Sequence, residues 1–159
     1  MFRYMFVVAA SMIAAVGLSA SQANAAKVPD VIAAAVADTN RPETDRQRDA
    51  NRKPAETLAF VGVKPGDQIA ELLPGSGYFT RIFSKIVGPS GHVCALVPAP
   101  LPNAPPDAPD FAARVKAIAA DAKYSNVSVV VEPFSELKTP EPVDLIWTSQ
   151  NYHDLHNFP

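Results

Sequence analysis

Apolar residues along this chain follow two alternating rhythms. Gln68-Ile69-Ala70-Glu71-Leu72-Leu73 is a short run that reads as a strand, and before it Lys64-Pro65-Gly66-Asp67 has proline and glycine at the central positions of a type II turn. Phe79, Ile82, Phe83, Ile86 and Val87 then recur at helical spacing, with Arg81, Ser84 and Lys85 on the other side. Gly88-Pro89-Ser90-Gly91 stops that helix, and residues 92–97 are nearly all apolar, as in a strand covered on both faces of a parallel sheet. A proline-rich loop follows, after which Asp110 can cap a helix whose Phe111, Val115, Ile118 and Ala122 share a face. Residues 127–131, ending at Glu132, predict a third strand. Residues 143–148, with Trp147 as a core residue, predict a fourth, after a short turn or helix around residues 135–137. Strands alternating with helices predict a parallel, doubly wound α/β sheet.

Upstream of this alternation the pattern changes twice. An apolar run over residues 5–18 follows Arg3, and Ala23-Asn24-Ala25 supplies small residues for cleavage, which predicts a signal peptide over residues 1–25 and export to the periplasm or beyond. Ser19, Ser21, Gln22 and Asn24 interrupt that run before the roughly 20 apolar residues a membrane span needs, so no stable anchor is expected after cleavage. Residues 26–53 form an N-terminal extension: an Ala-rich stretch at 28–37 suits a short helix, and the mixed charges of residues 38–53 predict a solvated face. Pro54 can open a helix with Leu58 and Val61 on its buried side and Gly62 at its end, and residues 54–159 make up the α/β domain.

The 159 residues fit one domain, and 48% hydrophobic against 19% charged residues suits a packed core rather than a disordered tail. A formal net charge of -2 lacks the basic footprint of a nucleic-acid binder. The single Cys94 cannot make an internal disulfide, and its apolar surroundings predict inert burial.

The chemistry concentrates in Pro74-Gly75-Ser76-Gly77, between the first strand and its helix. Glycines there let a ligand approach backbone N–H groups and the positive helix terminus, so Gly75 and Gly77 mark a cofactor edge. A dinucleotide fingerprint wants a third Gly or Ala where Thr80 stands, which disfavours a nicotinamide-dependent oxidoreductase. Glu71, a carboxylate at the end of the first strand, suits a ligand with a positive amino group.

These segments, Val63 to Asp67 through Glu71, then Pro74-Gly75-Ser76-Gly77-Tyr78-Phe79-Thr80 and Val87-Gly88-Pro89-Ser90-Gly91-His92-Val93, resemble the opening of class I S-adenosylmethionine-dependent methyltransferases. Arg48-Asp49, Arg52 and Pro54-Ala55-Glu56 are similar to the segment before that loop in a group of predicted exported methyltransferases. The resemblance implies a Rossmann-like sheet of about four strands here, in the order 3-2-1-4. It implies S-adenosylmethionine as cofactor, with Glu71 at its methionine end, Pro74, Gly75, Ser76 and Gly77 bordering it, Tyr78 starting the helix beneath and Glu132 on the adenine side. Leu73 stands where the commoner motif has a glycine, and Val97 where most relatives place an acid on the ribose. The family's sheet has seven strands, so about 100 residues of such a domain are expected to be missing, leaving an exposed strand edge prone to self-association.

Ligands of open α/β sheets sit beyond the carboxyl ends of the strands, so residues 148–154 are expected to face the same crevice as Gly75. His153 is the candidate base for taking a proton from the methyl acceptor, with Tyr152 and Asp154 as neighbours. His156 adds no further ligand spacing, so no metal is expected. A non-catalytic remnant or interaction module of the same fold is the alternative, and nothing in these residues names the acceptor.

Overall fold

The computed structural model describes residues 27–105, 107–151 and 153. Four helices, α1 (Asp30–Ala37), α2 (Glu43–Arg46), α3 (Asp49–Arg52) and α4 (Pro54–Val61), precede the first strand, β1 (Gln68–Leu72). They are followed by α5 (Tyr78–Val87), β2 (His92–Pro98), α6 (Ala113–Ala119), β3 (Val127–Glu132) and β4 (Leu145–Trp147). The strands form one parallel sheet in the order β3-β2-β1-β4, which is the α/β class and strand order expected. The signal segment expected over residues 1–25 lies outside the described residues. No helix among the described residues is long and apolar enough to cross a membrane.

Side chains alternate between the faces of a sheet, and this sheet uses its two faces unequally. Ile69, Val93, Ala95, Val97 and Val127 share one core with the inward residues of α4, α5 and α6, and with Ile32 and Ala35 of α1. The extension before residue 54 therefore contributes to the same core. Ala70, Cys94 and Leu96 form a second, smaller cluster, on which Leu72, Val130, Leu137 and Val143 pack. Among the described residues the helical layer lies on one side, and the segment after β3 covers the other. Cys94 is buried there, and burial raises its thiol above the ordinary value.

Local signals explain most boundaries. Pro54 sits in the first turn of α4, and Gly62 ends it at φ 80. In the turn that follows, the Asp67 N–H donates to the Lys64 carbonyl at 3.3 Å and Gly66 takes φ 89, as the type II geometry requires. The expected face of α6 is partly corrected. Asp110 accepts the Ala112 N–H at 2.8 Å, but that bond turns the chain before the helix begins at Ala113, leaving Phe111 68% exposed and the small Ala112 buried in its place. Ala122 lies in a separate 3-10 turn. β4 is three residues long rather than the six predicted at 143–148, and Asp144 ahead of it pins the start of β1, its carboxylate accepting the Gln68 N–H at 2.8 Å.

Candidate functional site

From β1 the chain turns through Leu73-Pro74-Gly75-Ser76-Gly77 into α5. Leu73, Gly75 and Gly77 all take left-handed backbone angles, with φ of 57, 59 and 79. For leucine that conformation costs about 1–2 kcal/mol, so the fold must hold it in place. The Leu73 N–H donates to the Leu96 carbonyl at 3.0 Å, and its own carbonyl accepts from Asn151 Nδ2 at 3.0 Å. The backbone at this position thus has the shape of the glycine that the commoner motif carries. The two glycines differ in what surrounds them. A Cβ on Gly75 would meet nothing within 4 Å, whereas on Gly77 it would stand 2.1 Å from Ile118 Cδ1. Gly75 borders open space, and Gly77 is what lets α6 pack against the loop.

Glu71 is 3% exposed, and its carboxylate accepts a hydrogen bond from the buried Thr80 hydroxyl at 2.5 Å. Burial raises its carboxyl to about 8, against the opposing pull of the Thr80 hydrogen bond and the Arg81 charge. A cation placed beside such a carboxyl favours its ionised form. Thr80, whose position argued against a dinucleotide site, is its partner.

The charged segment before residue 54 is only in part the solvated face its composition predicts: Glu43, Gln47, Arg48 and Lys53 are exposed, but two charges are not. Arg41 is 2% exposed and Asp45 4%. Arg41, just before α2, and Asp45, within it, turn their charges inward, whereas Arg48 stays exposed and Arg52 is half-buried at the cleft. Arg41 grips Asp49 through two bonds of 2.8 and 2.9 Å, and the Tyr78 hydroxyl donates to the same carboxylate at 2.6 Å. Burial alone would raise Asp49, but these bonds outweigh it and hold its carboxyl below the ordinary value. Burial, and then Asp49, push the Tyr78 phenol up. The guanidinium carbons of Arg41, Arg48 and Arg52 lie 5.3, 5.3 and 4.7 Å from the Tyr78 ring centroid, within cation–π range. Arg52 also donates to Gln150 Oε1, tying α3 to the chain after β4. Burial, and then the neighbouring Arg48 charge, lower the Arg52 guanidinium below its usual value.

Between the loop, α3 and the residues after β4 lies a cleft of about 240 Å³. Of the residues expected to bind a cofactor, Glu71, Pro74, Gly75, Ser76 and Tyr78 line it. Ser149, Gln150 and Asn151 line it too, as expected of residues 148–154, and so do Arg48 and Arg52, which were not anticipated as site residues. Gly77 is not among the lining residues, in keeping with its contact with Ile118. Glu132 lies at the carboxyl end of β3, in register with Pro98 of β2 and outside the cleft's lining, and its Oε2 is shut off from solvent with no hydrogen-bond partner. Val97 is buried in the core and offers no polar group at the end of β2. Trp147 packs edge-on against Phe79 and Phe83 at 4.9 and 5.6 Å between centroids, the core position expected of it. His153 is exposed and does not line the cleft; Tyr152 and Asp154 lie outside the described residues. Among the described residues no group of three His, Cys, Asp or Glu side chains could hold a metal ion.

No protein-family model matches the sequence, and no curated protein matches it significantly. Among solved structures the chain is similar to a cyclopropane-fatty-acyl-phospholipid synthase-like protein from Lactobacillus casei ATCC 334, with TM-score 0.51 and 18% identity over 72% of this chain and 42% of that one. A SAM-dependent methyltransferase from Aquifex aeolicus matches with TM-score 0.49 and 23% identity, over 72% of this chain and 60% of that one. Aeropyrum pernix fibrillarin, solved with natively bound S-adenosyl-L-methionine, matches with TM-score 0.41 and 22% identity, over 55% and 35%. The chain spans 35% to 60% of the length of these three proteins. At such identities the likeness to the Lactobacillus casei protein establishes the fold alone.

Proposed function

We propose that this chain binds S-adenosylmethionine in the cleft beside Gly75 and belongs to a class I methyltransferase, acting on an acceptor outside the cytoplasm. One observation carries the reading: a buried carboxylate at the end of β1 and a left-handed glycine facing open space share one cleft, at the mouth of α5. When bound, the cofactor supplies an electrophilic methyl group on a sulfonium. The chain's own residues bind and orient it. Glu71 takes the amino group of the methionine moiety by a charge-assisted hydrogen bond, and Gly75 leaves room for close approach to the main chain. Glu132, at the carboxyl end of β3 and outside the cleft's lining, is the residue for the adenine side, and Val97 offers no polar group to the ribose hydroxyls. His153, two residues beyond Asn151 of the cleft, is the group to take a proton from the acceptor.

Gly75→Asn separates this reading from a merely structural loop. Asparagine tolerates the left-handed backbone, and its side chain would fill the open space beside the loop. Calorimetric titration of the full chain with S-adenosylmethionine should give saturable binding, weakened about tenfold or more in the variant, or roughly 1.4 kcal/mol, with the fold retained by circular dichroism. A folded wild-type chain that gives no binding overturns the proposal.

A further inference from the structure

The cleft continues past Ser76. Arg48 and Ser76 are also walls of a second cavity of about 430 Å³, lined further by Thr44, Asp45, Arg81 and Arg114. Three guanidinium groups and a single carboxylate therefore border this space. Asp45 is buried, pairs with Arg81 at 3.1 Å and reaches Arg48 only at 3.9 Å. Arg81 is further engaged, because its Nη1 donates to the carbonyls of Ser76 and Gly77 at 3.0 Å each. Arg114 stands exposed on α6, and no ion pair among the described residues involves it. One negative charge against three positive ones leaves the concave surface with an excess of two cations. Guanidinium forks of this kind, beside the Thr44 hydroxyl, match the planar and tetrahedral oxygens of carboxylate and phosphate.

We propose that the second cavity is an oxyanion subsite, and that the methyl acceptor is an anionic molecule whose phosphate or carboxylate is held by Arg48 and Arg114. The word acceptor rests on reading the first cleft as the cofactor site; the anion site rests on the arginines themselves. Arg48 belongs to both cavities, so a ligand anchored on it in the second lies next to whatever occupies the first.

The test is calorimetry on the full chain at low ionic strength, with inorganic phosphate and acetate titrated separately and S-adenosylmethionine as a third ligand. Saturable binding of phosphate or acetate is expected, and the stronger of the two identifies the anion's chemistry. Arg48→Ala and Arg114→Ala should each weaken it about tenfold with the melting profile preserved, while Lys116→Ala, exposed on the same helix, leaves it unchanged. An equal loss from Lys116→Ala would mean diffuse attraction and overturn the site. Anion binding should persist when S-adenosylmethionine is saturating. Displacement would mean that the arginines hold the cofactor's own carboxylate, which overturns the acceptor assignment. If S-adenosylmethionine binds and neither anion does, the inference falls and the cofactor reading stands. If an anion binds and S-adenosylmethionine does not, the cofactor reading falls, and the acceptor assignment with it.

Discussion

Glu71 titrates near 4.5 when solvated and is raised to about 8 by burial in the folded chain. Folding therefore favours its neutral form, so its contribution to stability is complete below the unfolded value and is lost as the pH climbs through the folded one. Chemical denaturation should show the ligand-free chain losing stability between about pH 5 and 9, with Glu71→Gln removing much of that slope. A Glu71→Gln chain with the wild-type slope would place the titration on another group. The same carboxyl should make cofactor affinity rise with pH from about 6 to 8, because a bound ammonium favours the ionised form, and Gln should flatten that profile. At this scale the sequence was informative where one residue type answers one need. Glu71 and Gly75 could be picked out from their order around a loop. Leu73 was legible only through the resemblance, as a residue standing where a glycine is usual, because nothing in a leucine itself announces a left-handed backbone held by Leu96 and Asn151. Thr80 was legible only as a missing glycine, since its bond to Glu71 joins a helix to a strand nine residues away.

The segment of α2 and α3 shows why elements rich in charge are hard to read. Composition counts charges and sees opposite signs in balance, which describes a solvated surface equally well. Spacing does not say which of these charges are buried: Arg41 and Asp45 are and Arg48 is not, and that inward face becomes meaningful only once Tyr78 is placed on α5. Two variants measure how strongly that face ties α3 to the loop. Arg41→Ala strands a partly buried Asp49 and should destabilise the chain by about 3 kcal/mol in urea denaturation. Tyr78→Phe keeps the ring beneath the arginines and loses only the hydroxyl bonded to Asp49, for about 1.5 kcal/mol. If Tyr78→Phe cost as much as Arg41→Ala, the phenol rather than the ion pair would be the tie. The turn between α5 and β2 was legible as a stop, yet its tightness was not. A Cβ on Gly91 would stand 2.6 Å from the Asp67 carbonyl oxygen and 2.6 Å from Val87 Cβ, so Gly91→Ala should cost about 1–3 kcal/mol in the same assay.

For the whole molecule, the strand order followed from the alternation of apolar rhythms and from the resemblance, because a parallel sheet needs crossovers and few topologies satisfy them. The unequal use of the two sheet faces did not follow, since an apolar strand carries no record of what covers each side. One consequence is measurable in solution. β4 pairs with β1 along one edge, and along its other edge no strand pairs with it among the described residues. Ile146 of β4 is 68% exposed, and an unpaired strand carrying an exposed branched side chain is a template for association. Sedimentation velocity should show the chain associating as concentration rises, and Ile146→Lys should shift it toward monomer, because each added charge must be brought against another copy. Exposed as Ile146 is, the substitution should change unfolding stability by no more than about 0.5 kcal/mol. Association that persists in Ile146→Lys would move the contact to another surface, where Phe60, 90% exposed on α4, is the next apolar group to replace.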